Sequence, residues 1–554
     1  MGVSLAALRV GVLRAALRFG AAPHPPTPWA RVREWVGASH CANAHPSHAS
    51  RGWLFTYFAV AVVFWLYSAV GLAQQKSEEV PSKVHIDHAD RLEFIKNVES
   101  VRKLIGEVRM HQDTTTIFCD SAYQYVDRNF VEAYSNIRII SGRVTITGDK
   151  LQYDANTKTA DIFGNVVLYD GSTYLYTPHL QYEVNTHVGK YFERGKIVNA
   201  NDSLISKHAT YNTDTRWAEF RGDVRLYSPD YKVNTDALDY NTDTQEANFS
   251  TKTRIFNDSS DIVCDRGTYY TSQRRGSLHG RVIMQDKEYV IQGDSVYFSK
   301  LDNIGEAFRN VHVLSKDSTV HIFGQYAKID DFHKYTYVTR KAYTMYKIEK
   351  DTLYITADTL LAKQDSLKKR YIYAYHKAKL YKKDFQAIAD TLLYHRDDSV
   401  FYFIESPVLW SENNQITGKN IIVYLKNKQL DSITITQKGF IVQQEDSVKY
   451  NQLKGRLIQV KLKENKIQRM FVSGNSESLY YVFKENNTLS GMNYILCSEA
   501  DFYFEDNRPS TIKFFNQPDG TFYPPKQITR ENAILKDFKW YSQLRPCKKD
   551  IISP

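Results

Sequence analysis

Aspartate recurs along this chain at intervals that could assemble a repeated carboxylate site. The recurring residues are Asp90, Asp120, Asp149, Asp236, Asp265, Asp294, Asp358 and Asp390. Regularly spaced carboxylates can coordinate calcium, and a single pair can act as the acid and base of a glycosidase. A calcium-binding solenoid would need a dense Gly-Gly-x-Gly-x-Asp pattern, which the sequence lacks, and a catalytic pair would occur once rather than in every unit. The aspartates are therefore predicted to be structural.

Other residue constellations that carry chemistry are missing from the sequence. The 16 histidines form no His-x-x-x-His pair, and the five cysteines form no Cys-x-x-Cys pair, so no metal site is predicted. No P-loop, dinucleotide fingerprint or Gly-x-Ser-x-Gly elbow occurs. A β-helical polysaccharide lyase would need one unique acid/base cluster, and none is found. The sequence predicts no enzyme, no catalytic residue and no cofactor.

A 29-residue repeat underlies the aspartate spacing. The segments GDKLQYD (148–154), TPHLQYE (177–183), SKHATYN (206–212), TDALDYN (235–241), CDRGTYY (264–270) and GDSVYFS (293–299) align without gaps. The second residue of each segment, here called the anchor, recurs at steps of 29 residues. The anchors are Asp149, Pro178, Lys207, Asp236, Asp265 and Asp294, preceded by Asp90 and Asp120 and followed at looser spacing by Gln325, Asp358, Asp390 and Lys419.

Each repeat reads as two antiparallel strands. Apolar residues stand two positions after most anchors and aromatic residues four positions after, which places them on one face of a strand. A Gly-x-Val triplet follows several anchors by 15 or 16 residues, as at 164–166 and 222–224, and a strand glycine marks a bend or bulge. Asn, Asp, Gly and Ser clusters separate the strands as turns. The prediction is an all-β, elongated repeat array of antiparallel strands with two facing sheets, either open along one side or closed as a flattened roll.

The inward face of this array is predicted to hold an apolar interior. Its candidate lining residues are Leu151, Tyr153, Leu180, Tyr182, Tyr211, Leu238, Tyr240, Tyr269 and Phe298. Two interpretations of these residues stay open. They either pack as the ordinary core of a β-sandwich or, as a family resemblance of the same repeat implies, contact a bound lipid.

Cys119 and Cys264 are predicted not to form a disulfide bond. Cys119 and Cys264 lie five repeats apart, which is about 50 Å at two strands per repeat, whereas a disulfide needs Cα atoms within about 7 Å. Both are expected to be buried, unpaired thiols. A bond between Cys497 and Cys547 is left open.

The N-terminal segments have a different composition from the repeats. Residues 54–73 carry no charge and end in Gly71-Leu72-Ala73, so they are interpreted as a secretory signal or a membrane anchor. Residues 1–53 form an extension that a misplaced start codon would explain. Half of the net charge of +10 lies in residues 1–73, so the chain is not predicted to bind nucleic acid.

The repeat resembles that of the OstA-like family of lipopolysaccharide transport proteins, which includes LptA. The resemblance is carried by Asp149-Lys150-Leu151-Gln152-Tyr153-Asp154 with Gly164-Asn165-Val166-Val167-Leu168, and by variants at Asp90, Asp236 and Gly222. It covers residues 80–330 with a regular period and continues irregularly over 331–510, before a C-terminal tail at 511–554. This chain is about three times longer than the compact periplasmic member.

The resemblance implies an open β-jellyroll whose interior holds the acyl chains of lipid A and which bridges the periplasm. The implied partners are lipopolysaccharide and other transport components at the inner and outer membranes, with edge-strand addition as the docking mode. The implied location is the periplasm, in association with either membrane. A secreted structural or adhesive repeat protein without lipid cargo is the alternative.

Overall fold

The computed structural model describes residues 82–96, 100–285, 289–348, 351–427, 429–464, 466–484, 486–505 and 508–552. The N-terminal extension and the uncharged segment 54–73 lie outside these residues. In the part that is described, no helix is long and apolar enough to cross a membrane.

Antiparallel strands dominate the described chain and join into one continuous sheet. The strands of the first half are β1 (His85–His88), β2 (Arg91–Lys96), β3 (Ser100–Gln112), β4 (Thr115–Tyr125), β5 (Phe130–Ser141), β6 (Val144–Asp154), β7 (Thr159–Tyr169), β8 (Thr173–Glu183), β9 (Val188–Tyr191), β10 (Gly195–Asn199), β11 (Asp202–Ser206), β12 (His208–Asn212), β13 (Trp217–Tyr227), β14 (Lys232–Asn241), β15 (Glu246–Phe249), β16 (Thr253–Phe256), β17 (Asp261–Cys264), β18 (Arg266–Tyr270) and β19 (Arg275–Gln285).

The second half continues the same pattern with longer strands and ends in short helices. Its strands are β20 (Tyr289–Ser299), β21 (Ile304–Ser315), β22 (Val320–Asp330), β23 (Tyr335–Ile348), β24 (Asp351–Gln364), β25 (Arg370–Lys382), β26 (Phe385–His395), β27 (Val400–Ile404), β28 (Val408–Ser411), β29 (Asn414–Thr417), β30 (Asn420–Lys426), β31 (Gln429–Gln444), β32 (Tyr450–Lys463), β33 (Lys466–Phe483), β34 (Leu489–Glu505), β35 (Arg508–Phe515) and β36 (Asp519–Tyr523). Two 3-10 turns, η1 (Pro525–Gln527) and η2 (Ser542–Leu544), and one short helix, α1 (Lys549–Ile552), follow the last strand. The predicted all-β array of antiparallel strands is confirmed.

A two-residue bulge in the middle of alternate strands makes the corner of each repeat. In the pairing of β5 with β6, Tyr134 is opposite Lys150 and Ile137 is opposite Gly148, so two residues face the single anchor Asp149. Most bulge pairs have positive φ at both residues, which bends the strand sharply. These pairs include Gly106-Glu107, Ser135-Asn136, Gly164-Asn165, Gly222-Asp223, Gly280-Arg281, Arg309-Asn310, Arg340-Lys341, Gln437-Lys438 and Gly474-Asn475.

The recurring aspartates pack against these corners. Asn165 donates a hydrogen bond from Nδ2 to Oδ2 of Asp149 at 2.9 Å, and Asn136 makes the same bond to Asp120 at 2.8 Å. A Cβ at Gly164 would come within 2.4 Å of Oδ2 of Asp149, so glycine leaves the room that the carboxylate occupies. These contacts are consistent with the predicted structural role of the anchor aspartates, which is to hold the bulge residues at each corner.

Folding at the corners brings two rows of hairpin turns together. The row-one turns are residues 113–114, 142–143, 170–172, 200–201, 228–231 and 257–260, and the row-two turns are 126–129, 155–158, 184–187, 213–216, 242–245, 271–274 and 300–303. Lys158 of one row bonds Asp113 of the other at 2.7 Å. The halves of each strand, named row-one and row-two halves after their nearer turns, thus face each other across an apolar core.

The four described cysteines are free. Cys119 and Cys264 are buried in the core, as predicted. Cys497 is half-buried and Cys547 is exposed, and no bond joins them.

Candidate functional site

The nine residues that the sequence singled out all point into the interior and are all buried. Eight of them lie in residues 100–285, here called the closed section, and Phe298 lies in β20 just beyond it. In the closed section the side chains of the two strand halves fill the space between them. The structure therefore places these residues in a packed core, and whether any of them contacts lipid stays a prediction.

The tyrosines four positions after the anchors reach across the core to the row-one turns. Tyr153 donates from its hydroxyl to Oε1 of Gln112 at 2.5 Å, and Tyr240 donates to Oδ2 of Asp202 at 2.7 Å. Burial raises the pKa of Tyr182 to about 12, so this phenol is neutral at physiological pH. Tyr153, Tyr211 and Tyr240 thus combine a large apolar surface with a hydroxyl that finds a partner, whereas the buried hydroxyls of Tyr182 and Tyr269 make no hydrogen bond.

Asp170, in a row-one turn, is a buried carboxylate that such a tyrosine contacts. Its side chain is fully buried, and it accepts hydrogen bonds from the Tyr211 hydroxyl and the Arg216 guanidinium. Burial alone would raise its pKa, but bonds from Tyr211, from the Thr173 backbone N–H and from Arg216 outweigh burial and hold the pKa below its usual value. The pair ties a row-one turn to a row-two turn and closes this side of the roll.

The interior opens near residue 289. At the position three before the anchor, the side chains of the closed section are at most 2% exposed, whereas the corresponding residues of later repeats are mostly half-buried. The first group comprises Ile146, Leu175, Leu204, Val233 and Ile262. The second group comprises Ile291, Ile322, Ile355 and Ile416. We call residues 289–470 the open section.

The opening coincides with the loss of two tyrosine struts. Four positions after the anchors Gln325 and Asp358 stand Ile329 and Ala362, where five repeats of the closed section have tyrosine. Neither side chain is long enough to cross the interior, and neither carries a hydroxyl to bond the opposite turn. The sequence alone does not carry this signal, because Gln124 interrupts the aromatic column within the closed section as well.

The result is a row of apolar side chains that face inward yet remain partly open to solvent. They are Ile291, Val313, Ile322, Leu353, Ile355, Phe385, Phe401, Ile416, Leu425, Leu430, Ile441 and Ile467. Ile372 also points inward, because it lies opposite Ala362 in the pairing of β24 with β25, and its side chain is 37% exposed. An apolar groove of this kind accommodates a ligand with hydrocarbon surface.

The open and closed sections also differ in charge. Residues 100–285 contain 22 basic and 23 acidic side chains, whereas residues 289–470 contain 29 basic and 20 acidic ones. The net charge of the section that holds the apolar groove is thus about ten units more positive. A positive surface beside an apolar groove suits an amphiphile with anionic groups.

Among the described residues, no group of three or more His, Cys, Asp or Glu side chains could hold a metal ion. The arrangement offers an apolar surface and nearby positive charge.

Comparisons with known proteins match two separate parts of the array. The family model described as OstA-like protein matches residues 81–236, and the model described as LptA/(LptD N-terminal domain) LPS transport protein matches residues 346–429. Neither description names an enzyme.

Among solved structures, one that resembles the chain is the crystal structure of LptH, the LptA-homologous periplasmic component of the lipopolysaccharide transport device of Pseudomonas aeruginosa. It is 14% identical, covers 27% of this chain and 82% of its own, and has a TM-score of 0.15. No curated protein matches significantly. With one family match in the closed section and one in the open section, the chain is a member of the LptA/OstA-like family of lipopolysaccharide transport proteins.

Proposed function

We propose that the open section binds lipopolysaccharide, with the acyl chains of lipid A in the apolar groove. The observation that carries this proposal is the row of inward-facing, half-exposed apolar side chains in residues 289–470. The same repeat positions are sealed in the closed section, so the exposure is a property of these repeats and not of the fold. Covering this row would remove apolar surface from water, at roughly 25 cal/mol per Å².

Charge supports an anionic amphiphile as the ligand. The open section carries an excess of nine basic side chains. Several of them, such as Lys334, Lys368 and Lys369, lie in the turns between strands, at the rim of the groove. Lysine and arginine are the side chains that pair with phosphate groups. The acyl chains would enter the groove while the phosphates stay at its rim.

In this proposal the closed section acts as a packed stem, and the protein bridges the periplasm with it. Its partners would be other lipopolysaccharide transport components at the inner and outer membranes. Within the described residues, β1 and β2 pair only with β3, and β35 and β36 pair only with β34. Such one-sided strands at both ends of the array support docking by strand addition.

Site-specific photo-crosslinking in the full-length chain tests the proposal. A benzophenone amino acid is placed at Ile372, which faces the groove, at its outward-facing neighbour Tyr373, and at the sealed position Tyr182. The variants are incubated with lipopolysaccharide and irradiated, and the adducts are identified by mass spectrometry. The proposal expects adducts from position 372 and none from position 373.

The two control positions separate the remaining possibilities. An adduct at position 182 comparable to that at 372 would show that the closed section also opens for lipid, as the sequence interpretation allowed. No adduct at any position, with the strand content of each variant intact, would contradict the proposal and favour a structural repeat protein without lipid cargo.

A further inference from the structure

The C-terminal segment lies on the outer side of the open section. Residues 524–552, here called the strap, follow β36 and contact the row-one halves of β24, β26, β29 and β32 through side chains that point away from the interior. The outward direction follows from strand alternation, because the next residues Ala387, Ile416 and Leu453 belong to the interior core.

Two buried glutamines hold the backbone of the strap. Gln452 donates from Nε2 to the carbonyl of Ala533 at 2.9 Å and accepts from the N–H of Leu535 at 2.9 Å. Gln415 donates to the carbonyl of Lys539 at 2.8 Å and accepts from the N–H of Tyr541 at 2.7 Å. Each amide thus pairs with backbone groups two residues apart, as a neighbouring β-strand would.

These contacts repeat in step with the array. Gln452, Gln415 and Gln386 each stand four residues before the anchor position of their repeat, namely Arg456, Lys419 and Asp390. All three glutamine side chains are buried. Gln386 accepts from the Arg545 guanidinium at 2.6 Å.

The strap itself has a six-residue period that matches these repeats. The glutamines contact it at Ala533, Lys539 and Arg545, which are six residues apart. A tight turn follows each contact: the N–H of Phe538 bonds the carbonyl of Leu535, that of Leu544 bonds Tyr541, and that of Asp550 bonds Cys547. These turns shorten the strap to the spacing of about 10 Å that two strands occupy.

Apolar side chains of the strap also pack against the sheet along its whole length. Leu535 packs into a second core that contains Phe440, Val442, Leu479 and Met492. The Trp540 ring lies 5.3 Å from that of Tyr450. Further along, Pro546 and Ile551 are buried. This outer core is separate from the interior core. The strap therefore covers apolar side chains on the outer face of the sheet that would otherwise be exposed to solvent.

We propose that the outer face of the open section is a peptide-binding track whose occupant is the strap of the same chain. In this role the strap is a brace, and six strap residues fix the spacing of each repeat. The open section needs such a brace because its interior is incompletely filled. A repeat array gains its stability from contacts between neighbouring repeats, and here the outer contacts replace part of the missing inner ones.

Hydrogen–deuterium exchange of the full-length chain, resolved to single residues, tests this proposal. The amides of Leu535 and Tyr541 should exchange slowly in the wild type. Gln452→Ala should speed the exchange of Leu535, and Gln415→Ala that of Tyr541, each by about tenfold, which is the worth of a hydrogen bond to a buried group. The double variant should also speed exchange in β26, β29 and β32 but not in β6 or β8.

Gln459→Ala provides the matched control. Gln459 lies on β32 like Gln452, but its side chain is exposed on the row-two half, so its removal should leave exchange unchanged. Fast exchange at Leu535 and Tyr541 in the wild type would refute the track. A double variant that frees the strap while β26, β29 and β32 remain as protected as before would refute the brace.

Discussion

Arg216 donates a hydrogen bond from Nη1 to Oδ2 of Asp170, a residue 46 positions earlier in the chain, inside the closed section. The carboxylate side chain is fully buried and the guanidinium largely so. Because one residue lies at a row-one turn and the other at a row-two turn, the pair fixes the two halves of the roll to each other. The closed section depends on such cross-connections as well as on its apolar core.

Removing the carboxylate charge should destabilise the closed section. In Asp170→Asn the guanidinium of Arg216 stays largely buried and keeps only the exposed carboxylate of Asp243, 3.6 Å from its Nε, so the loss should approach about 3–5 kcal/mol, the cost of a broken buried pair. The matched control is Asp223→Asn, because Asp223 pairs with Arg225 at an exposed site, where the loss is below about 1 kcal/mol. Urea unfolding followed by circular dichroism measures both. Equal midpoints for the two variants would contradict the assigned role of Asp170.

The same pair predicts how stability depends on pH. The folded-state pKa of Asp170 is held below its usual value by bonds that outweigh the effect of burial. A depressed pKa gives a stabilising contribution that is present above the unfolded pKa of about 3.9 and is lost as the pH falls through the folded value. The stability difference between wild type and Asp170→Asn should therefore be large at pH 7 and shrink at pH 3. A difference that stays constant between these pH values would show that the carboxylate charge is not responsible.

The corner geometry predicts unequal effects at two glycines. Gly164 has φ of +75°, and an added Cβ would meet Oδ2 of Asp149 at 2.4 Å, whereas Gly142 has φ of +57° and open space around it. Gly142→Ala should cost about 1–2 kcal/mol from backbone conformation alone. Gly164→Ala should cost about 1–3 kcal/mol more, because Asp149 must move as well. Thermal unfolding of both variants measures the two losses of stability. A smaller loss for Gly164→Ala than for Gly142→Ala would contradict this prediction.

The free cysteines should differ sharply in reactivity. Burial raises the pKa of Cys119 and Cys264 to about 12, so almost no thiolate is present at pH 8, whereas Cys547 is exposed. A thiol reagent such as Ellman's reagent, used on a Cys41→Ser background, should label Cys547 rapidly and the two core cysteines only after unfolding. Rapid labelling of Cys119 in the folded protein would mean that the core of the closed section opens readily.

The repeat and its residue types allowed most of the fold to be predicted. Six identical steps of 29 residues and alternating apolar positions predicted the antiparallel pairs, and Gly164 and Gly222 marked the corners. The sequence could not show which interior positions are sealed, because Tyr182 and Ile355 both belong to the inward face. That difference depends on whether a side chain on the opposite half reaches across.

The strap was not predicted, although its docking surface left a trace in the sequence. Phe440-Ile441-Val442 is an unbroken apolar run, as is Val408-Leu409-Trp410 of β28, whereas a strand such as β8 alternates. Such a run indicates a strand that is covered on both faces. The partner that covers it lies about a hundred residues later, at Leu535 and Phe538, and no local pattern connects the two.

Restoring the missing strut should close the groove if the open section binds lipid as proposed. Ala362→Tyr places a tyrosine at the repeat position where Tyr153, Tyr182 and Tyr240 fill the closed section. Its ring would occupy space that the acyl chains need, so binding of lipopolysaccharide should weaken about tenfold, as expected for the loss of one well-packed apolar contact.

The matched control for this substitution is Leu361→Tyr, which adds a ring of the same size on the outward face of the same strand. Titration of both full-length variants with fluorescent lipopolysaccharide, alongside the wild type, measures the effect. If Leu361→Tyr weakens binding as much as Ala362→Tyr does, the lipid does not lie in the groove. If Ala362→Tyr alone weakens binding, the missing tyrosine accounts for how a sealed repeat becomes a lipid-binding one.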